Sequence, residues 1–261
     1  MKADHGLYIF FLIWYGCGVI LLGFDILPSW LEWANVVFLI AAGVIGGIYL
    51  YHTYGVKLGV LLSLTVIVLS IFIEHLGAEY GFLFGDYDYT EGFGPQVFGA
   101  PITIGFAWLM VIGGTHAIVK TLLPEASAVV FSAAGALLAV MIDLIIDPIA
   151  YEVKEYWIWE ADSFYYNIPF SNFSGWFILA FFLHMIIQLT GRAHYKKNLL
   201  WENRMATVFF LILFMFVLLA VINSLWLAVA FSIVPALLML GIYMLTVKRG
   251  SHDQSKQNQV V

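Results

Sequence analysis

Eight apolar stretches make up most of the chain: Leu7–Phe24, Ala34–Tyr51, Leu58–His75, Pro101–Val119, Ala126–Ile146, Phe173–Thr190, Met205–Ile222 and Leu225–Val247. Each has about the 20 residues that a helix needs to cross the hydrocarbon layer. The pattern predicts an all-α fold, a polytopic transmembrane helix bundle of about eight spans. It predicts one transmembrane domain over residues 1–249 and a disordered polar tail over residues 250–261. Only Asn223 and Ser224 separate the last two stretches, so a tight hairpin competes there with one long bent helix.

Two stretches break the hydrocarbon pattern. Phe72–Trp108 reads FIEHLGAEYGFLFGDYDYTEGFGPQVFGAPITIGFAW, and Asp143–Trp176 reads DLIIDPIAYEVKEYWIWEADSFYYNIPFSNFSGW. Carboxylates, tyrosines, tryptophans and an asparagine concentrate in them. Any chemistry is expected where they meet.

Composition sharpens the class. Of 261 residues, 62% are hydrophobic and 11% charged, against about a quarter charged in soluble domains, and the mean hydropathy is +0.94. This is an integral membrane protein. Cys17 stands alone, which excludes a disulfide within the chain and a cysteine-built metal site. A net charge of −6 and the lack of a basic stripe exclude a nucleic-acid partner. The first apolar stretch follows one lysine and precedes no small-x-small cleavage site, and Gly16-Cys17 lacks a lipoprotein signature. It reads as a retained helix.

Lysine and arginine collect in cytoplasmic loops. With eight spans and a cytoplasmic start, one side receives Lys2, Lys57, Lys120, Arg192, Lys196, Lys197, Arg204, Lys248, Arg249 and Lys256; the other receives only Lys154. A seven-span arrangement would move the last three across. Both ends are therefore expected in the cytoplasm, in a multi-pass protein of the cell membrane. Asp25, Glu32, Glu79, Asp86, Asp88, Glu91, Glu152, Glu155, Glu160 and Asp162 then fall outside, and both polar stretches share the outer face.

Within the spans the informative residues are Glu74, Asp143 and Asp147, because a charge in lipid is costly and commonly marks function. Glu74 is expected at the outer end of the third helix, Asp143 in the last turn of the fifth and Asp147 just past it. The i, i+4 spacing puts the two aspartates on one face. If helices three and five are neighbours, the three acids form one cluster; the competing reading is that they simply touch water at the interface.

An acid sequestered from water can deliver a proton to a substrate, and aromatic walls stabilise a cation. Together they suggest protonation of an alkene, then a carbocation, then capture by water. Other chemistries fit less well. His5, His52, His75, His116, His184, His194 and His252 are scattered, without the paired spacing of a di-iron site. No span has a central lysine, there is no GxSxG or phosphate loop, and DLIID is one short cluster without basic neighbours. The Gly81–Pro101 loop reads as a lid or an interfacial anchor, with Asp88 and Glu91 solvated. Residues 147–172 read as a long aromatic outer loop.

The residues Glu74, Gly77, Gly81, the run Phe84 to Tyr89, Gly94-Pro95, Pro101, Trp108, Asp143, Asp147-Pro148, Trp157, Trp159, Asn172 and Gly175-Trp176 form a pattern. It resembles the CruF-type membrane carotenoid-biosynthesis family, which includes carotenoid 1,2-hydratases. Glu79 and Leu83 depart from it, standing where smaller or polar residues such as Thr and Pro are expected. The resemblance implies cofactor-independent, metal-free hydration of the terminal double bond of an acyclic carotenoid to a tertiary alcohol. Asp143, Asp147 or Glu74 would be the general acid. A second carboxylate, or Asn172 with a tyrosine, would position the water. Tyr87, Tyr89, Trp108, Trp157, Trp159, Asn172 and Trp176 would contact the substrate. The partners implied are the polyene, the lipid bilayer and other carotenoid-pathway enzymes. The alternatives are another end-group modification, a non-catalytic carotenoid-binding protein, or a transporter, the last weakened by the missing internal repeat.

Overall fold

In a computed structural model, residues 2–90 and 93–257 are described, with side chains for residues 3–90 and 93–249. The helices are α1 (Lys2–Gly23), α2 (Ala34–Tyr54), α3 (Val56–Tyr80), α4 (Ile102–Leu122), α5 (Ala128–Glu152), α6 (Phe170–Gly191), α7 (Leu199–Ile222) and α8 (Trp226–Gln257). Among the described residues, eight helices are long and apolar enough to cross a membrane. Asn223 and Ser224 form the tight hairpin: Ser224 adopts φ +61° and the Leu225 amide donates to the Ala220 carbonyl. That turn separates α7 from α8 and decides for eight spans over seven. The polar tail expected from residue 250 starts as a continuation of α8 to Gln257, and residues 258–261 lie outside the described residues.

Helix α4 is the axis of the bundle. Its apolar window is 83% buried, against 6% for α1 at the periphery. Helix α2 can lie against α4 because Gly43 and Gly46 carry no side chain on that face. A methyl group at Gly46 would come within 2.6 Å of the Leu109 carbonyl oxygen. Small residues at a helix crossing are the usual way of bringing backbones together in lipid, where water supplies no hydrophobic drive. Helices α5 and α6 pack along each other, and α7 closes the bundle against α4 and α5.

The helices outlast the apolar pattern at the outer face. Helix α3 continues past His75 to Tyr80, and α5 continues past Asp147 and Pro148 to Glu152. Asp147 therefore sits inside α5 rather than beyond its end, and Asp143 is about two turns from the helix terminus. Proline has no amide hydrogen, so Pro148 leaves the carbonyl four residues earlier without its helical partner. Tyr165 fills that role: its hydroxyl donates to the Leu144 carbonyl at 2.5 Å.

The expected outer loop is partly ordered as a strand. β1 (Tyr87–Tyr89) pairs antiparallel with β4 (Trp157–Trp159), and β2 (Gln96–Val97) pairs with β3 (Ala100–Pro101). The β1–β4 ribbon ties the α3–α4 connection to the α5–α6 connection.

The Pro148–Tyr165 arrangement yields a double-mutant test. Tyr165→Phe strands the Leu144 carbonyl and lowers the heat-unfolding midpoint of purified protein, by about 1–2 kcal/mol in stability. On a Pro148→Ala background the alanine amide can serve Leu144, so the same change costs less. Equal losses on both backgrounds would contradict this account.

Candidate functional site

Glu74 enters from the last turns of α3. It is 4% exposed, and each carboxylate oxygen is engaged. Oε1 accepts from the Trp108 indole N–H at 2.8 Å. Oε2 faces the Tyr87 hydroxyl at 2.7 Å and the Tyr89 hydroxyl at 2.8 Å. The α3 helix ends at Gly81 in the left-handed conformation (φ +62°), the usual glycine exit from a helix. The chain then doubles back over Gly77. A methyl there would lie 2.8 Å from both the Phe84 ring and the Tyr87 hydroxyl, so only glycine lets the loop settle over Glu74.

Asp143 and Asp147, each 1% exposed, project from adjacent turns of α5 towards Asn172 at the start of α6. The Asn172 amide nitrogen donates to Asp147 Oδ2 at 2.6 Å and to Asp143 Oδ2 at 3.0 Å. Asp147 Oδ1 accepts from the Trp157 and Trp159 indoles at 2.6 and 3.2 Å. None of the three acids has an ion-pair partner among the described residues. They are held by neutral donors, and hydrogen bonds to a charged group contribute about 1.5–3 kcal/mol each.

The ribbon explains how four of those donors arrive together. Successive residues of a strand point to opposite faces. In β1, Tyr87 and Tyr89 face inward while Asp88 is exposed; in β4, Trp157 and Trp159 face inward and Ile158 outward. Register pairs Tyr87 with Trp159 and Tyr89 with Trp157, so four rings form one wall over the acids. Burial, followed by the charge of Glu74, pushes the hydroxyls of Tyr87 and Tyr89 well above the usual phenol range. Both keep their protons. Trp176 stacks on Trp108 with ring centres 4.3 Å apart.

Glu74, Asp147, Tyr87, Tyr89, Asn172 and the tryptophans 157, 159 and 176 line one cavity of about 20 Å³. That volume suits about one water molecule, which needs two to four polar partners. Asp143 lies behind it, joined through Asn172. An apolar chamber of about 80 Å³ shares Ile104, Trp157 and Trp176 with the cavity.

All ten residues expected at the site are thus brought into one assembly. The route differs from the expected one: α3 packs on α2 and α4 rather than on α5, and the ribbon and α6 bridge the gap between Glu74 and the aspartates. Tyr165, Phe84 and Ile104 complete the surroundings and were not among the expected site residues. Asp88 is exposed as anticipated, while Glu91 lies outside the described residues.

His116 and His184 sit well away, towards the opposite face. His116 bonds the Tyr49 and Tyr54 hydroxyls at 2.7 and 2.8 Å, and His184 bonds Thr115 at 2.9 Å. His184 Nδ1 has no partner among the described residues.

A family model described as carotenoid biosynthesis protein matches residues 34–243. Bisanhydrobacterioruberin hydratase of Haloarcula japonica is 26% identical over 122 residues, covering 44% of this chain and 41% of that protein. The alignment thus spans about two fifths of the relative. No solved structure matches.

Gly77→Ala is expected to lift the Phe84–Tyr89 segment off α3. Limited proteolysis of the membrane-embedded protein then cuts within residues 81–101 at least tenfold faster. Unchanged cleavage would show that the loop does not depend on the close approach at Gly77.

Proposed function

The chain belongs to the carotenoid biosynthesis protein family, and we propose that it hydrates the terminal C1–C2 double bond of an acyclic carotenoid. The observation that carries this reading is the small cavity of about one water's volume, faced by two carboxyl groups and walled by aromatic rings, beside an apolar chamber. A hydration needs one proton donor, one water, and a surface that tolerates a cation. The cavity has room for the water, and the carboxyl groups and rings around it suit the other two roles.

Hydrogen-bond roles suggest a division of labour. Indole N–H groups only donate, so Asp147 Oδ1, facing two of them, is confined to accepting. Glu74 Oε2 faces two hydroxyls, which can give or take. Glu74 is therefore the group placed to carry a proton and pass it to C-2. The π electrons form the new C–H bond and leave a tertiary cation at C-1, the more stable of the two alternatives. Asp147 and the rings of Trp157, Trp159 and Trp176 face that charge; aromatic faces stabilise a cation by about 0.5–2 kcal/mol each.

Water held by Asp147, Asn172 and a tyrosine then forms the C–O bond. Its proton goes to the carboxylate cluster, so the charge of the site is restored and only water is consumed. Asp143 acts through Asn172 as a positioning residue for Asp147. In this reading the membrane is the cell membrane, the lysine-rich face is cytoplasmic, and other enzymes of carotenoid synthesis supply and use the compounds. The hydratase activity of the Haloarcula japonica relative supports the reaction class.

Expression in a lycopene-producing host tests the proposal. The wild-type chain is expected to convert lycopene to a product heavier by one water per modified end. Glu74→Gln and Asp147→Asn each reduce that product by at least about 100-fold, the usual scale of an acid–base contribution, with protein accumulation unchanged. Asp143→Asn reduces it by a smaller factor, about tenfold. Full activity of Glu74→Gln would remove it as the acid. Pigment bound without any alcohol product would instead favour a carotenoid-binding protein.

A further inference from the structure

The acid cavity is too small for a polyene, so the greater part of the guest must lie elsewhere. A third chamber, of about 280 Å³, opens between α1, α2 and α7. It shares Asn35, Phe38, Tyr156 and Met215 with the 80 Å³ chamber, which in turn adjoins the acid cavity. The three spaces therefore adjoin one another through shared wall residues, in a series that runs from the bundle surface to the cavity of Glu74 and Asp147.

Two further observations distinguish this series from loose packing. The Asn35 amide nitrogen is buried and has no hydrogen-bond partner among the described residues, although Asn35 lines both apolar chambers. An unpaired buried amide is unfavourable, and the π electrons of a conjugated chain are a weak acceptor that would relieve it. On the watery side, Lys154 and Glu32 approach to 4.0 Å at the edge of the outer chamber. Away from that contact, Cys17 of α1 is exposed on the chamber wall.

We infer that the gap between α1, α2 and α7 is a lateral portal through which the acyclic polyene passes from the lipid, with its conjugated chain seated along Asn35 and its end at the acid cavity. The identity of the guest rests on the proposed hydratase reading. The position of the portal rests on the chambers. Helix α1 contributes one wall and is the least buried of the spans, so the gap can widen without disturbing α4.

Cys17 is the sole cysteine of the chain and gives a direct probe. Purified full-length protein in phospholipid nanodiscs is reacted with a fluorescent maleimide, with and without lycopene. Lycopene is expected to slow labelling of Cys17 at least tenfold. Met215→Trp, which fills the passage between the two apolar chambers, is expected to cut alcohol formation at least tenfold with the acid cluster untouched. Equal labelling rates with and without lycopene in protein that still forms the alcohol would overturn the portal and leave the hydratase reading standing. Protection of Cys17 with no alcohol ever formed would keep the portal and sink the hydratase. Should Met215→Trp fail to accumulate, the labelling of the unaltered chain decides alone.

Discussion

Three carboxyl groups lie buried in a membrane protein with no cation beside them among the described residues, and most of the outer architecture serves that arrangement. Taking an unpaired charge out of water is prohibitive unless polar partners replace the lost hydration. Here the replacements are neutral N–H and O–H groups: two tyrosines and a tryptophan for Glu74, two tryptophans and an asparagine for Asp147. A lysine or arginine would satisfy the acids more strongly and would also neutralise them as proton donors and acceptors. Neutral donors hold the carboxyls in place and leave their chemistry available.

Delivering so many neutral donors to one point requires more than helices. A helix presents one residue per turn to a given spot, whereas a strand presents every second residue along a line. The YDY and WIW segments use that difference, turning four rings toward the acids over only six residues. The consequences extend backwards through the chain. Gly77 and Gly81 let the first segment fold back over α3, and Pro148 frees the carbonyl that anchors Tyr165. Asn172 lies in the first turn of α6, where it can reach both aspartates.

Much of this was legible in the sequence because lipid imposes a simple rule. Eight apolar stretches gave eight helices, and the tight Asn223-Ser224 turn settled the one ambiguous boundary. The exceptions to the hydrocarbon pattern gave the site, since Glu74, Asp143, Asp147 and the aromatic residues stand out against it. Two things were hidden. Helices α3 and α5 run on past the ends expected from hydropathy, to Tyr80 and Glu152; loop aromatics satisfy Glu74 and Asp147 there, and hydropathy cannot register a partner distant in sequence. The ribbon was missed although the alternation Tyr-x-Tyr and Trp-x-Trp is the signature of a strand with one buried face; three residues are too few for periodicity to speak without its partner. The convergence of Glu74 with the aspartates was expected from adjacent helices and arises instead from that ribbon and α6.

The central claim is that this neutral-donor cradle adds water, and nothing else, across a carbon–carbon double bond. The most direct measurement supplies purified protein with lycopene in heavy-oxygen water, without molecular oxygen or added reductant, and locates the label by mass spectrometry. The account predicts that the hydroxyl of the tertiary alcohol carries the solvent's heavy oxygen. An alcohol formed only when molecular oxygen is admitted, with unlabelled oxygen in its hydroxyl, would contradict it.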